Sequence, residues 1–204
     1  MKIICIGLNY NGHLKEMGGE PPTEPVFFMK PDTALLRNNQ PFFYPDFTKQ
    51  LHYETELVLR IHKVGRSISE KYASKYYSEI GIGIDFTARD IQQQYREKGL
   101  PWEKAKAFDY SAPVSPDFIP VEEFAGMSNI QFRLDINGQT VQQGNSSDMI
   151  FSFDRIVSHV SQFVTLKIGD LIFTGTPAGV GEVKIGDNLK AYINDRLLLN
   201  FEIK

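Results

Sequence analysis

The 204-residue chain has one cysteine, Cys5, so no intrachain disulfide is possible. Nothing in it asks for an oxidising compartment. It has no apolar run approaching the roughly 18–20 residues that span a bilayer. The stretch from Met1 to Gly7 is too short to serve as a secretory apolar region and carries no cleavage-like site, so the expected location is the cytoplasm. A cluster of basic residues is also missing. Lys and Arg number 22 against 25 Asp and Glu, for a formal net charge of −3. Without a basic stripe to track a phosphate backbone, neither nucleic acid nor a membrane surface is an expected partner. No G-x-G-x-x-G opens a helix and no Gly-Lys-Ser/Thr follows a glycine loop, which argues against a nucleotide. A small anionic substrate would need local positive charge from a metal ion or a few placed Lys and Arg.

What is present is a chain of short strands and tight turns. Residues 2–8 read as a buried strand. Asn9 and Asn11 are candidate caps for a short helix carrying His13, Leu14 and Glu16, with Gly18-Gly19 as its stop. Residues 26–29 form a short apolar strand stopped by Pro31. In residues 52–61, His52, Glu54, Glu56 and Val58 share one face, and Tyr53, Thr55, Leu57, Leu59 and Ile61 the other. Residues 70–79 read as helical. Ile80, Ile82 and Ile84 then alternate with Gly81, Gly83 and Asp85, a strand with one face stripped of side chains. Thr87 is a candidate cap for the next helix, with Gly99 as its stop. Asn137-Gly138 between alternating segments signals a hairpin. Residues 152–164 form an amphipathic helix pattern through Phe153, Ile156, Val157, Val160 and Val164. Lys-Ile-Gly-Asp occurs at 167–170 and again at 184–187, each time as a turn before a strand. Strands outnumber helices without regular β-α alternation, so the expected class is α+β, mainly β, in one domain spanning 1–204.

The chemistry centres on carboxylates. Glu54 and Glu56, two apart on a strand, point the same way. Two like charges on a partly buried face must be solvated or share a cation. Read alone, such a pair is more often a solvated acidic strand face. Asp85 adds a third carboxylate at a strand end beside two glycines, where backbone can approach a ligand. Three carboxylates make a hard, all-oxygen site that suits Mg²⁺, or Mn²⁺ or Ca²⁺, and disfavours zinc. Arg89 and Gln92 share a face of the following helix, and Lys106 lies between two alanines. His13 and Glu16 are three apart, where a carboxylate can orient an imidazole and raise its basicity. His52 sits on the Glu54/Glu56 face. The turn at 174–181 could present Thr176 and backbone N–H groups to a carboxylate.

Taken together, these residues resemble the fumarylacetoacetate hydrolase superfamily. The motifs are H-Y-E-T-E-L-V-L at 52–59, G-I-D-F-T-A-R-D-I-Q at 83–92, W-E-K-A-K-A-F-D at 102–109 and G-D-L-I-F-T-G-T-P-A-G-V-G at 169–181. I-G-L-N-Y-N-G-H-L-K-E-M at 6–17 and P-V-F-F-M-K-P at 25–31 also match, in the same order. The short length is similar to the acylpyruvase and oxaloacetate decarboxylase branch. The resemblance implies a mixed β-roll with a few short flanking helices, and a homodimer. It implies metal ligands at Glu54, Glu56 and Asp85, substrate contacts at Arg89, Gln92 and Thr176, a catalytic-site lysine at Lys106 and a lid dyad of His13 and Glu16. Leu8 stands where many members carry Arg, which removes one anion contact. Asn194-Asp195-Arg196 replaces the usual glycine-containing turn.

The expected reaction is metal-dependent C–C cleavage of a small 2-oxo acid, either hydrolysis of a 2,4-dioxo acid or decarboxylation of oxaloacetate. Two other expectations stand beside it: an isomerase or hydratase of 2-oxo-enoic diacids from aromatic breakdown, and a non-catalytic binding member.

Overall fold

A computed structural model of the chain describes residues 1–16, 18 and 20–204. Met17 of the 6–17 motif and Gly19 of the expected helix stop lie outside the described residues. Along the chain run β1 (Ile3–Gly7), α1 (Asn11–Glu16), β2 (Val26–Lys30), β3 (Leu35–Leu36), β4 (Leu51–Tyr53), β5 (Thr55–Ile61) and β6 (Tyr77–Ile84). Then come β7 (Thr87–Ala88), α2 (Arg89–Lys98), α3 (Glu103–Lys106), β8 (Ala112–Pro113), β9 (Ile119–Pro120), β10 (Gln131–Ile136) and β11 (Gln139–Asn145). The chain closes with α4 (Phe153–Phe163), β12 (Leu171–Phe173), β13 (Gly181–Glu182), β14 (Asn188–Ile193) and β15 (Arg196–Glu202).

The expected mainly-β class is what the fold shows. A six-stranded mixed sheet has the order β2-β1-β12-β5-β6-β9, with β1 and β12 parallel and the other pairs antiparallel. A four-stranded antiparallel sheet, β11-β10-β14-β15, packs over one of its faces. Leu57, Leu59 and Ile61 of β5 and Ile80, Ile82 and Ile84 of β6 meet Leu134, Leu189 and Phe201 in the larger hydrophobic cluster. On the other face Val58, Ile3, Cys5, Leu171 and Phe173 form a smaller one. The alternation in residues 52–61 is thus a true strand period, and Glu56 projects from the face that carries Val58, away from the large core.

Local chemistry sets several elements. Asn137 and Gly138 both have positive φ, 52° and 81°, in the hairpin turn between β10 and β11, as a twist-matched two-residue turn demands. Ser152 caps α4 by accepting from Arg155 N, and the helix buries Phe153, Ile156, Val157 and Val160. Burial of each such side chain contributes about 1.5–3 kcal/mol. The two Lys-Ile-Gly-Asp copies fold alike. Asp170 and Asp187 each accept from the lysine N–H three residues back at 2.7 Å, before β12 and β14.

Other local expectations are corrected. Residues 70–79 are a 3₁₀ turn over Glu70–Lys75 followed by β6, because Tyr77 pairs with Ile61 and tertiary pairing overrides propensity. The strand at 52–61 breaks at Glu54, whose carbonyl accepts from Asp85 N while Gln142 caps Thr55 N. Thr87 is no helix cap, since its hydroxyl turns back to the Asp85 carbonyl. Asn9 does not cap α1 either. Its amide instead bonds Phe151 N, Phe151 O and Thr174 O, tying the end of β1 to two distant segments.

Candidate active site

A cavity of about 290 Å³ opens beside the end of the β5–β6 pair. Glu54, Glu56, Asp85 and Lys106 line it with Arg89, Gln92, Thr176 and His13. The fold therefore brings eight of the nine sequence-derived site residues to one cavity. Glu16, the ninth, reaches it through His13.

The carboxylates come together by strand pairing. Thr55 registers with Ile84 and Glu56 with Gly83, so Glu56 on β5 and Glu54 just before it come next to the aspartate that follows β6. One carboxylate oxygen from each of Glu54, Glu56 and Asp85 lies within 4.8 Å of the others, and all three residues are buried. The glycines serve packing rather than ligand approach. A Cβ on Gly83 would meet the Phe173 ring at 2.6 Å, and one on Gly81 the Phe118 ring at 2.7 Å. That corrects the expectation that this face is cleared for a ligand.

Lys106 sits on the single-turn α3 and places Nζ 2.7 Å from Glu54 Oε2 and 2.8 Å from Asp85 Oδ2. Lys30, at the end of β2, places Nζ 2.8 Å from Asp85 Oδ1 with no side-chain exposure. It also donates to the Ser111 hydroxyl at 2.9 Å and to the Lys106 carbonyl. Sequence reasoning missed Lys30. Its signal was a lysine closing an apolar strand, V-F-F-M-K, since a lysine buried there needs a partner. Arg89 donates to Glu54 Oε1 at 2.6 Å, to Gln92 Oε1 and to His52 Nδ1. His52 thus touches the site through Arg89. Burial and the Arg89 charge hold its imidazole below the ordinary value, in the neutral form that can accept.

These contacts divide the carboxylates. Burial alone would raise Glu54, but Lys106 and Arg89 outweigh it and hold the group far below the carboxylate range. Burial with repulsion from Asp85 and Glu54 pushes Glu56 well above that range, against one N–H bond from Gly175 at 2.7 Å. Burial lowers Lys106, yet Asp85 and Glu54 override it and keep the ammonium charged. Glu56 is therefore the carboxylate without a cationic partner among the described residues, in an all-oxygen trio. That donor set fits a hard divalent cation, which would relieve the repulsion at Glu56.

His13, also in the cavity lining, places Nδ1 3.1 Å from Glu16 Oε2. With Nδ1–H donating to Glu16, a neutral ring keeps its lone pair on Nε2. Glu16 Oε1 accepts from Gly179 N at 3.3 Å, and a Cβ on Gly12 would stand 3.3 Å from Ala178, so α1 lies close on the 174–181 turn. Thr176 donates its hydroxyl to the Thr55 carbonyl at 3.0 Å and accepts from Gln142 Nε2 at 2.8 Å. A substrate oxygen would have to displace the first bond. Gln142 was also missed. It ties β11 to the peptide between the two glutamates and to the Thr176 turn.

The family model for the fumarylacetoacetate (FAA) hydrolase C-terminal matches residues 2–204. The mitochondrial oxaloacetate tautomerase FAHD1 of Bos taurus is 43% identical over 202 residues, which is 99% of this chain and 91% of that protein. Oxaloacetate tautomerase YcgM of Escherichia coli K12 is 44% identical over 189 residues, 92% of this chain and 86% of that protein. Among solved structures, the fumarylpyruvate hydrolase of Pseudomonas aeruginosa in complex with Mn²⁺ and pyruvate is 36% identical with a TM-score of 0.93, covering 100% of this chain and 89% of that one. No helix among the described residues is long and apolar enough to cross a membrane. With these matches running nearly end to end, the chain belongs to the fumarylacetoacetate hydrolase family.

Proposed function

We propose that this chain is a divalent-metal-dependent enzyme that cleaves a C–C bond of a small 2-oxo acid, by hydrolysis of an acylpyruvate or decarboxylation of oxaloacetate. The observation that carries the proposal is the buried trio of Glu54, Glu56 and Asp85 at the base of a cavity shared with Lys106. The trio would hold Mg²⁺ or Mn²⁺, which when bound supplies Lewis-acid polarisation of the substrate's 2-oxo group. Lys106, kept charged by two carboxylates, stabilises negative charge developing on the substrate and cannot serve as the base. Arg89 and Gln92 hold the substrate carboxylate, with Thr176 supporting from the glycine-rich turn. Arg89 also fixes Glu54, so binding and metal retention share one side chain. His13, with Nε2 free to accept, takes a proton from water in hydrolysis, and Glu16 orients the ring.

The relatives named oxaloacetate tautomerases favour a second reading, in which the same residues move a proton at the carbon beside the 2-oxo group and no bond between carbons breaks. Residues 1–204 would act as one catalytic domain, in a homodimer and in a soluble compartment such as the cytoplasm. The test is a panel of acetylpyruvate, fumarylpyruvate and oxaloacetate with Mg²⁺ or Mn²⁺, reading both pyruvate release and enol–keto conversion. Metal-dependent pyruvate release supports cleavage, and enol–keto conversion alone supports the tautomerase. A rate that survives removal of all divalent metal overturns both.

A further inference from the structure

β2 is the edge strand of the six-stranded sheet, and its side chains alternate between two surroundings. Phe27 turns to α4, where its ring meets His159 at 6.3 Å and Phe163 at 5.8 Å. Phe28 and Lys30 take the other face, shared with Cys5, which pairs directly across from Phe28 on β1. Both reach Lys106. Lys30 donates to its carbonyl. Phe28 lines the cavity, and Lys106 Nζ stands over its ring, 5.2 Å from the centroid. Trp102 backs that ring at 5.8 Å between centroids, edge to face at 64°. The same Trp102 opens α3, and its carbonyl accepts from Lys106 N at 2.9 Å. One residue thus sets both the turn that carries the lysine and the ring that flanks its ammonium.

A lysine ammonium has three donors. Two of those on Lys106 go to Glu54 Oε2 at 2.7 Å and Asp85 Oδ2 at 2.8 Å. The third remains for a ligand in the cavity. An aromatic face attracts a cation without accepting its hydrogen bonds as water does. In a drier setting a fixed charge also stabilises a developing negative charge more strongly. We propose that Phe28 is a positioning residue. Its ring, propped by Trp102, shields the Lys106 ammonium from water and keeps the third N–H turned to the substrate. This assignment rests on the 2-oxo acid function proposed for the site, in which Lys106 meets charge that grows only during the reaction. The effect of Phe28 therefore falls on kcat and spares KM.

The test compares three variants of the Mn²⁺-loaded full chain in steady-state turnover of oxaloacetate and acetylpyruvate. Phe28→Leu removes the ring and keeps an apolar side chain. It is expected to lower kcat about tenfold, the scale of one partly desolvated cation–π contact, with KM within about twofold of wild type. Phe28→Tyr keeps the ring and is expected to keep kcat. Phe27→Leu loosens the other face of β2, and is expected to lower Tm as Phe28→Leu does while kcat stays at the wild-type value. The contact also has a readout without turnover, in the metal-free protein. The Phe28 ring current moves the Lys106 Hε signal upfield in a lysine-selective NMR spectrum, where the signal is assigned by its loss in Lys106→Arg. That shift is expected to vanish in Phe28→Leu and persist in Phe28→Tyr. An unshifted wild-type signal, a wild-type kcat in Phe28→Leu, a fall in Phe28→Tyr as deep as in Phe28→Leu, or an equal fall in Phe27→Leu overturns the assignment. A shifted Lys106 signal in a wild-type protein that turns over neither acid overturns the 2-oxo acid function instead.

Discussion

The cavity is walled by two regions that hold their charges in different ways. At the base, Glu56 stands on a seven-residue strand with Glu54 just before it, Asp85 follows the eight-residue neighbour, and three cations, Lys30, Lys106 and Arg89, brace Glu54 and Asp85. On the other wall, His13 and Glu16 stand on the six-residue α1, joined to the 174–181 turn by one backbone bond to Glu16 and the close approach of Gly12 to Ala178. Buried charges need dense counter-charge, so the base is rigid and costly to alter. A proton-transferring imidazole needs an orienting partner but little burial energy around it, so its helix can be slight. The expectation is that mutations at the base change metal binding and stability, and mutations on α1 change only turnover.

Glu56→Ala breaks the base most directly. It removes the carboxylate that a divalent ion would most relieve, while Glu54 and Asp85 keep their cationic partners. Supporting partners of a metal site cost roughly 10–100-fold in affinity, so loss of a ligand should exceed that range and abolish turnover. Mn²⁺ titration followed by electron paramagnetic resonance checks this, and unchanged affinity would remove Glu56 from the site. His13→Ala comes next. Hydrolysis should fall by about 10²–10⁴-fold in kcat, the usual worth of a general base. Mn²⁺ affinity and Tm should stay at wild-type values. A matching fall in Mn²⁺ affinity would mean that the two walls are not separate.

The same contrast explains what was legible in the sequence. The period-2 spacing of Glu54 and Glu56, the strand ending at Asp85 and the Asn137-Gly138 hairpin are local patterns, and local patterns can be read without tertiary structure. The roles of Lys30 and Gln142 are not local. Lys30 meets Asp85 only because β2 and the α3 region converge on it, and Gln142 meets Thr55 only through the packing of the two sheets. The glycines of β6 were legible as a stripped face, but what fills that face is Phe173 from a strand 90 residues later in the chain. The order and identity of the motifs made the family recognisable, whereas the counter-charges that make the base stable depended on contacts between distant segments.

Lys30→Met tests the bracing of the base with a smaller effect on turnover. It leaves Asp85 with Lys106 alone in a buried setting. Breaking a buried pair by removing one partner costs about 3–5 kcal/mol, which for a chain of this size lowers Tm by roughly 10 °C. Mn²⁺ should recover more of that loss in Lys30→Met than it adds to the wild-type protein, because the variant has one cation fewer at Asp85. Denaturant unfolding with and without Mn²⁺ measures both arms. Equal stabilisation of variant and wild type would show that Lys30 supports packing without supporting the charge balance of the site.

The smallest expected effect places α2, which carries Arg89, Gln92 and Arg96, on one side of the comparison. Asp90 accepts from Thr48 Oγ1 at 2.6 Å, from Lys49 N at 3.0 Å and from Ile91 N at 2.9 Å, anchoring the first turn to the loop before β4. Burial raises this carboxyl, but the bonds from Lys49, Thr48 and Ile91 together outweigh burial and hold it below the ordinary value. A carboxyl with a depressed folded-state pKa stabilises fully above its unfolded pKa, and that contribution disappears as pH falls through the folded value. Asp90→Asn should therefore lower Tm by a few degrees or less at pH 7, with the gap from wild type closing on acidification below about pH 4. Thermal melts from pH 7 to pH 3 read this directly. If the anchor is sound, kcat/KM at neutral pH should fall modestly along with Tm, because Arg89 begins the helix that Asp90 ties down. A gap in Tm that persists to pH 3 would assign the effect to lost shape rather than lost charge, and α2 would then stand with α1 as a lightly held element.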